Sequence, residues 1–235
     1  MPVVALSDAS LTLWRGGGVL PFIDGLSTNR VAELSKGQLI RTVFTDSNAK
    51  IIDCLTLFHM GDFIVAAGYL PALDKLLKHT SKKILGQDVE ITDISQRNDL
   101  FIEFDCENNV NEIGTFSSQG EITRGNIASN YSILVASKGN GPSSSDDLTE
   151  FNLWRIANKV PWNGYEITNS FHPFACGLEE LVHQQKGCYI GQEILARMRS
   201  RGRQGKVLSQ VETMSCKPAN ITTKGDLQSL AIIRS

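Results

Sequence analysis

Apolar positions in the first 95 residues follow two rhythms, one of period two and one near 3.6. Residues 11–16 (LTLWRG) read as a short strand, and 20–26 (LPFIDGL) as a helix opened by Pro21, with Phe22, Ile23 and Leu26 on one face. The runs 38–46 (QLIRTVFTD) and 50–60 (KIIDCLTLFHM) are apolar and β-branched, and Asp46, Ser47 and Asn48 break them into two strands. Met60, Gly61 and Asp62 predict a tight hairpin into 63–68 (FIVAAG), and Pro71 opens an amphipathic helix with Leu73, Leu76 and Leu77 turned inward. With 88–95 (DVEITDIS) as a closing strand, the pattern predicts an α+β layer, one sheet with helices on one side.

From 98 to 136 the signals are strands only, at 99–106 (DLFIEFDC), 112–116 (EIGTF) and 131–137 (YSILVAS). The Gly-, Ser- and Pro-rich stretch 137–147 predicts an exposed loop or linker. Ser145 or Asp146 is a candidate cap for a helix over 147–160, in which Leu148, Phe151 and Arg155 recur at helical spacing until Pro161. Residues 161–177 look irregular, 178–185 a short helix or turn, and 191–201 a helix; strand-like 206–212 and 230–235 end the chain. The resulting division is 1–95, 96–205 and 206–235, and no internal repeat is visible.

Composition is that of an ordinary globular protein, 41% hydrophobic and 20% charged. No apolar run approaches a membrane span and the start lacks a leader pattern, so a cytoplasmic monomer is expected. Five scattered cysteines without a C-x-x-C pair predict neither a disulfide framework nor a zinc knuckle. Charge is uneven: residues 186–206 hold six basic side chains and one acid, whereas the remainder carries 17 basic and 24 acidic residues. One anion-attracting segment therefore lies in an acidic chain.

That segment begins KGCYIGQE (186–193). Gly187 permits a tight backbone, Gly191 suits the cap of a helix from Gln192, and a thiol just ahead of that helix faces its positive end with Lys186 close in sequence. Both favour thiolate at Cys188; the competing reading is a small buried hydrophobe. Glu193 and Arg197 are spaced as a helix ion pair. Cys54 reads as core, and Cys106, Cys176 and Cys216 have no supporting neighbours. His172, Cys176, His183 and Cys188 match no structural zinc spacing, so no metal site is assigned, and a Cys188/His183 nucleophilic pair has only sequence proximity behind it.

With KGCYIGQEILAR and the following Arg201-Gly202, the chain resembles the YgfZ family of folate-binding proteins, itself related to the glycine-cleavage T-protein. Lys186, Gly187, Cys188, Tyr189, Gly191, Gln192, Glu193, Ala196, Arg197, Arg201 and Gly202 fill the family signature. FIDGLSTN (22–29), FTDSNAKIIDCLTLF (44–58), WRIANKVPWNG (154–164) and FHPFACGLEELV (171–182) resemble further family segments, so the likeness runs from about residue 10 to 208. The resemblance implies a cloverleaf of two ferredoxin-like α/β portions and a C-terminal β-barrel around a tetrahydrofolate cleft. It also implies a part in assembling or repairing iron-sulfur clusters, with iron-sulfur proteins or assembly factors as partners and tRNA modification as an indirect readout. Cys188 is then the functional thiol. Only 42 residues follow Glu193, which predicts a truncated barrel, and the T-protein's glycine-rich, acid-bearing segment has no counterpart, which argues against aminomethyl transfer.

A pterin presents adjacent N–H donors, which a buried carboxylate accepts, and a flat face that an aromatic ring covers. Asp53 sits where the T-protein hairpin carries its folate aspartate; the alternative is the exposed face of an alternating strand. Phe151 and Trp154 flank the ring or else are core, and Arg155 falls in the same resembling segment. Arg197 and Arg201 receive the anionic glutamate tail or else form a solvated helix face. Two other functions compete: a folate-dependent aminomethyltransferase-like enzyme, and an RNA-binding accessory protein using Arg197 to Lys206, which the lack of interleaved aromatics disfavours.

Overall fold

The structure, a computed structural model, describes residues 1–202 and 205–234. Arg203, a member of the basic run, lies outside the described residues.

β1 (Val3–Ala5) and β2 (Ala9–Arg15) lead into α1 (Val19–Leu26). β3 (Leu39–Thr45), β4 (Ile51–His59) and β5 (Phe63–Tyr69) continue into α2 (Leu70–Ser81) and β6 (Glu90–Asp93). Strands β2 to β6 build one antiparallel sheet in the order β3-β4-β5-β2-β6. Both helices cover one face, because their apolar stripes have only that face to bury against: Phe22, Ile23 and Leu76 share a core with Trp14, Phe44 and Leu57. Burying Ile23 or Leu76 in this way stabilises the layer by about 1.5–3 kcal/mol each. The inward stripe of α2 is Leu73, Leu76 and Thr80, whereas Leu77 is only half-buried.

The second sheet contains β7 (Asn98–Phe104), β8 (Phe116–Gln119), β9 (Ile122–Ala128) and β10 (Tyr131–Ser137), ordered β1-β7-β10-β9-β8. β1 thus leaves its sequence neighbours to pair with β7. The two sheets pack face to face, Leu11, Leu39 and Phe58 against Leu100, Ile102 and Ile133. β9 has the weak strand sequence ITRGNIA, yet Gly125 is required there: a Cβ would stand 2.6 Å from both Leu39 Cδ2 and Phe58 Cε1. The 137–147 stretch is an exposed loop, as expected, but it is anchored at two points. Ser145 exchanges backbone hydrogen bonds with Val3 and Ala5, and Gly141 lies against the Phe101 ring with no room for a side chain.

α3 (Thr149–Asn158) starts where Asp147 Oδ1 accepts from the Thr149 N–H and hydroxyl, so Asp147 holds its start and not Ser145 or Asp146. α4 (Gln192–Ser200) precedes β11 (Lys206–Glu212), β12 (Ile221–Thr223) and β13 (Gln228–Arg234). These three strands, ordered β11-β13-β12, form an open sheet, and no closed barrel is present among the described residues. The last sheet joins the first through a shared core, Leu208, Leu230 and Ile232 with Val43, Ile51 and Cys54. No helix among the described residues is long and apolar enough to cross a membrane.

Candidate functional site

The KGCY segment is clamped on both sides of its exposed thiol. Lys186 turns inward, where its Nζ donates to the carbonyls of Asp24 (2.6 Å), Ser27 (2.8 Å) and Asn29 (2.6 Å) and lies 3.2 Å from Asp24 Oδ1. These carbonyls cluster at the C-terminal end of α1, where a cation satisfies groups the helix cannot. Burial pushes the ammonium below the ordinary lysine range, while Asp24 pulls it back. Lys186 is therefore a long-range helix cap and not a loose cation beside the thiol, which corrects the electrostatic role expected of it.

Tyr189, buried, packs with Phe174, Val182, Leu195 and Ala49, and its ring lies 5.2 Å from Lys186 Nζ. Thr45 Oγ1 donates to the Ile190 carbonyl at 2.6 Å. Gly191 caps α4 at φ 86°, pressed so close to the β3–β4 turn that a Cβ would stand 2.8 Å from Thr45 Oγ1. Between these anchors Gly187 and Cys188 are exposed. The buried-hydrophobe reading of Cys188 is thus replaced by a displayed thiol. Glu193 and Arg197 are exposed on α4 and form no ion pair within 4.0 Å among the described residues. Arg201 is exposed too, whereas Arg199 donates to the Val182 carbonyl and covers the Phe174 ring. No group of three or more His, Cys, Asp or Glu side chains converges in a metal-holding arrangement among the described residues. His183 Nδ1 accepts from the Gln185 N–H, and Cys176 Sγ contacts the Glu166 carbonyl.

Asp53 lies elsewhere, on β4. It is 2% exposed, which removes the exposed-strand reading. Its Oδ1 accepts from Cys54 N (2.8 Å) and Oδ2 from Tyr69 N (3.1 Å); burial pushes the carboxyl up to about 7 against the pull of these two donors. The carboxyl lines an opening of about 270 Å³ between the start of α2 and residues 163–169, with Tyr69, Lys75, Asn163, Thr168 and Asn169. Tyr69 and Asn163 escaped the sequence reading. Tyr69 ends a strand and Asn163 sits in a WNG turn, both ordinary local roles that hide a shared wall. A second, smaller hollow of about 40 Å³ lies between the two large sheets and shares Asn163 and Ile167 with the opening.

The other expected ligand contacts are not at this opening. Phe151 and Trp154 stack on each other (centroids 6.0 Å apart, 14° between planes) inside the inter-sheet aromatic cluster with Phe104, Tyr131 and Trp162. Arg155 is fully buried and pairs with Glu166 at 2.8 Å, and its three guanidinium nitrogens also reach Asn152, the Val160 carbonyl and Thr223. Glu166 in turn accepts from Thr222, Thr223 and the Trp162 N–H, so the pair ties α3 to β12. Arg197 and Arg201 do not line the opening either.

No family profile matches the chain. It is similar to an uncharacterized protein of Haemophilus influenzae, 23% identical over 241 positions that span 96% of this chain and 78% of that protein. Among solved structures, the glycine cleavage system aminomethyltransferase T from Bartonella henselae superposes with a TM-score of 0.79 at 11% identity, covering 99% of this chain and 78% of that one. The two share a fold. Heterotetrameric sarcosine oxidase from Corynebacterium sp. U-96 aligns over 57% of this chain and 74% of its own at 9% identity, with a TM-score of 0.37 too low to carry weight.

Proposed function

We propose that this protein binds the pterin of a tetrahydrofolate at the Asp53 opening and serves as an accessory factor in iron-sulfur cluster assembly or repair, Cys188 being its point of contact with clients. The observation that carries the ligand half is the buried carboxyl itself, raised to about 7 inside an opening of about 270 Å³. Such a group is out of place unless something with paired N–H donors compensates its charge. The residues fit a pterin head: Asp53 to accept from its donor edge, Tyr69 to offer an aromatic surface, Asn163 and Asn169 to bond the remaining polar atoms. The volume suits the head group alone and leaves the rest of a folate outside. A reduced folate carries one-carbon units when bound; the chain's own part is to hold the ring and present Asp53 as the acceptor for its donor edge.

The cluster half rests on the complete KGCYxGQE signature and on the displayed thiol. A single exposed cysteine, with no metal-holding group around it among the described residues, suits contact with a sulfur species or a cluster that a client also ligates. Clients in this reading include cluster-dependent enzymes such as those that modify tRNA.

Calorimetric titration of tetrahydrofolate at pH 8 and pH 6 tests the ligand half. Wild type binds more weakly at pH 6, where Asp53 is protonated, and Asp53→Asn weakens binding at pH 8 at least tenfold, about 1.4 kcal/mol. Equal affinity for both proteins would sink the assignment. For the cluster half, a Cys188→Ser gene that restored cluster-enzyme activity to a deletion strain as fully as wild type would remove the thiol. Formation of methylene-tetrahydrofolate from an aminomethyl donor would move the reading to a transferase.

A further inference from the structure

The inter-sheet hollow is lined by Arg41, a half-buried cation with no acid within 4.0 Å among the described residues; the exposed Glu180 acts on it only from farther away. In the register of β3 and β4, Arg41 stands opposite Thr56 and Val43 opposite Cys54, so Arg41, Cys54 and Thr56 leave the same face of the first sheet, opposite Asp53. All three line the hollow, together with apolar walls from Leu100, Ile127 and Ile133. Arg41 Nη1 donates to Tyr131 Oη at 3.1 Å and Nη2 to Cys54 Sγ at 3.6 Å. Both partners are neutral, and both accept from Arg41 while keeping a proton of their own to donate. None of the five ion pairs among the described residues includes Arg41.

A guanidinium half-buried between two sheets with no carboxylate in contact gains from a negative acceptor placed against it. The polar side chains around this space are a guanidinium, a hydroxyl, a thiol and the Asn163 carboxamide, neutral acceptors at most, so a negatively charged acceptor is what the site lacks. Size narrows the choice. About 40 Å³ admits a species of one to three heavy atoms and excludes an aromatic ring. We infer that the hollow is a binding site for a small monoanion of formate or halide size, held by Arg41 with Thr56 as second donor. The site does not depend on the ligand assigned to Asp53, whose carboxyl faces the other way. Because Arg41 belongs to the first sheet and Tyr131 to the second, an anion here strengthens the contact between the sheets.

Thermal unfolding in sodium formate, at ionic strength held constant with sodium gluconate, tests the inference on the full chain. Formate at ten times its dissociation constant raises the midpoint by about 3–5 °C and the effect saturates. Arg41→Gln abolishes the saturable response, and sodium benzoate, too large for the hollow, produces none. Chloride that competes with formate identifies a site open to halides; formate binding that chloride leaves unchanged identifies one selective for oxyanions, and each supports the inference. A rise of the same size in Arg41→Gln, an equal rise with benzoate, or a linear response to salt overturns it. Should Arg41→Gln fail to fold, ¹⁵N–¹H spectra of wild type decide: one arginine side-chain resonance shifts saturably with formate, and if none moves the site does not exist.

Discussion

At the scale of single residues, burial separates groups that look alike in sequence. Asp53 and Asp24 are both acids next to apolar neighbours, yet Asp24 meets the Lys186 ammonium while Asp53 meets only backbone N–H donors and is driven up to about 7. The sign of the consequence follows from linkage. An unfolded aspartate loses its proton near pH 4 and the folded one near 7, so between these values the unfolded state binds fewer protons. Stability attributable to Asp53 is therefore full below about pH 4 and declines as pH rises to 7. Urea unfolding of wild type and Asp53→Asn from pH 4 to 8 will show wild type losing on the order of a few kcal/mol relative to the variant, apart from a constant offset for the hydrogen bond the amide cannot accept. A pH-independent difference would mean that Asp53 is already ionised in the fold. The sequence marked Asp53 as unusual inside IIDCL, but whether it faced solvent depended on α2 and on residues 163–169, which lie far from it along the chain.

At the scale of elements, the long periodic segments of the first sheet and both of its helices were legible, because each carries its apolar face in its own spacing. β1 and β9 were not. β1 is three residues long, and β9 spends its centre on Arg124, Gly125 and Asn126, a poor strand sequence that the facing Leu39 and Phe58 impose. The Cys188 loop shows the same contrast within one motif. Gly191 combines a left-handed backbone with contact against the β3–β4 turn, whereas Gly187 has open space where its side chain would be. Gly191→Ala should cost about 2–4 kcal/mol in urea unfolding, and Gly187→Ala no more than about 0.5 kcal/mol. Similar costs for the two would mean that α4 is not docked on that turn.

At the scale of the whole molecule, the open third sheet is held by a polar connection as well as by apolar packing. Arg155 and Glu166, each 0% exposed, bridge α3 and β12. Removing one member of such a pair leaves the other charge stranded, so Arg155→Leu should lower stability by about 3–5 kcal/mol, with amides of β11 and β13 the first to lose protection in hydrogen exchange. Adding Glu166→Leu should recover much of the loss; no recovery would mean that packing and not charge was broken. Sequence alone settled the α+β class, the helix and strand periods of the first sheet and the KGCYIGQE segment, because these are properties of spacing and local chain chemistry. Tertiary structure alone decided that Lys186 caps α1 instead of attending the thiol, that Arg155 pairs with Glu166 between α3 and β12, that Phe151 and half-buried Trp154 stack in one aromatic cluster, and that Arg41 and Asp53 point to opposite faces of one sheet. Those outcomes turn on which groups lose their water and which partners replace it, and the partners come from segments up to 162 positions away.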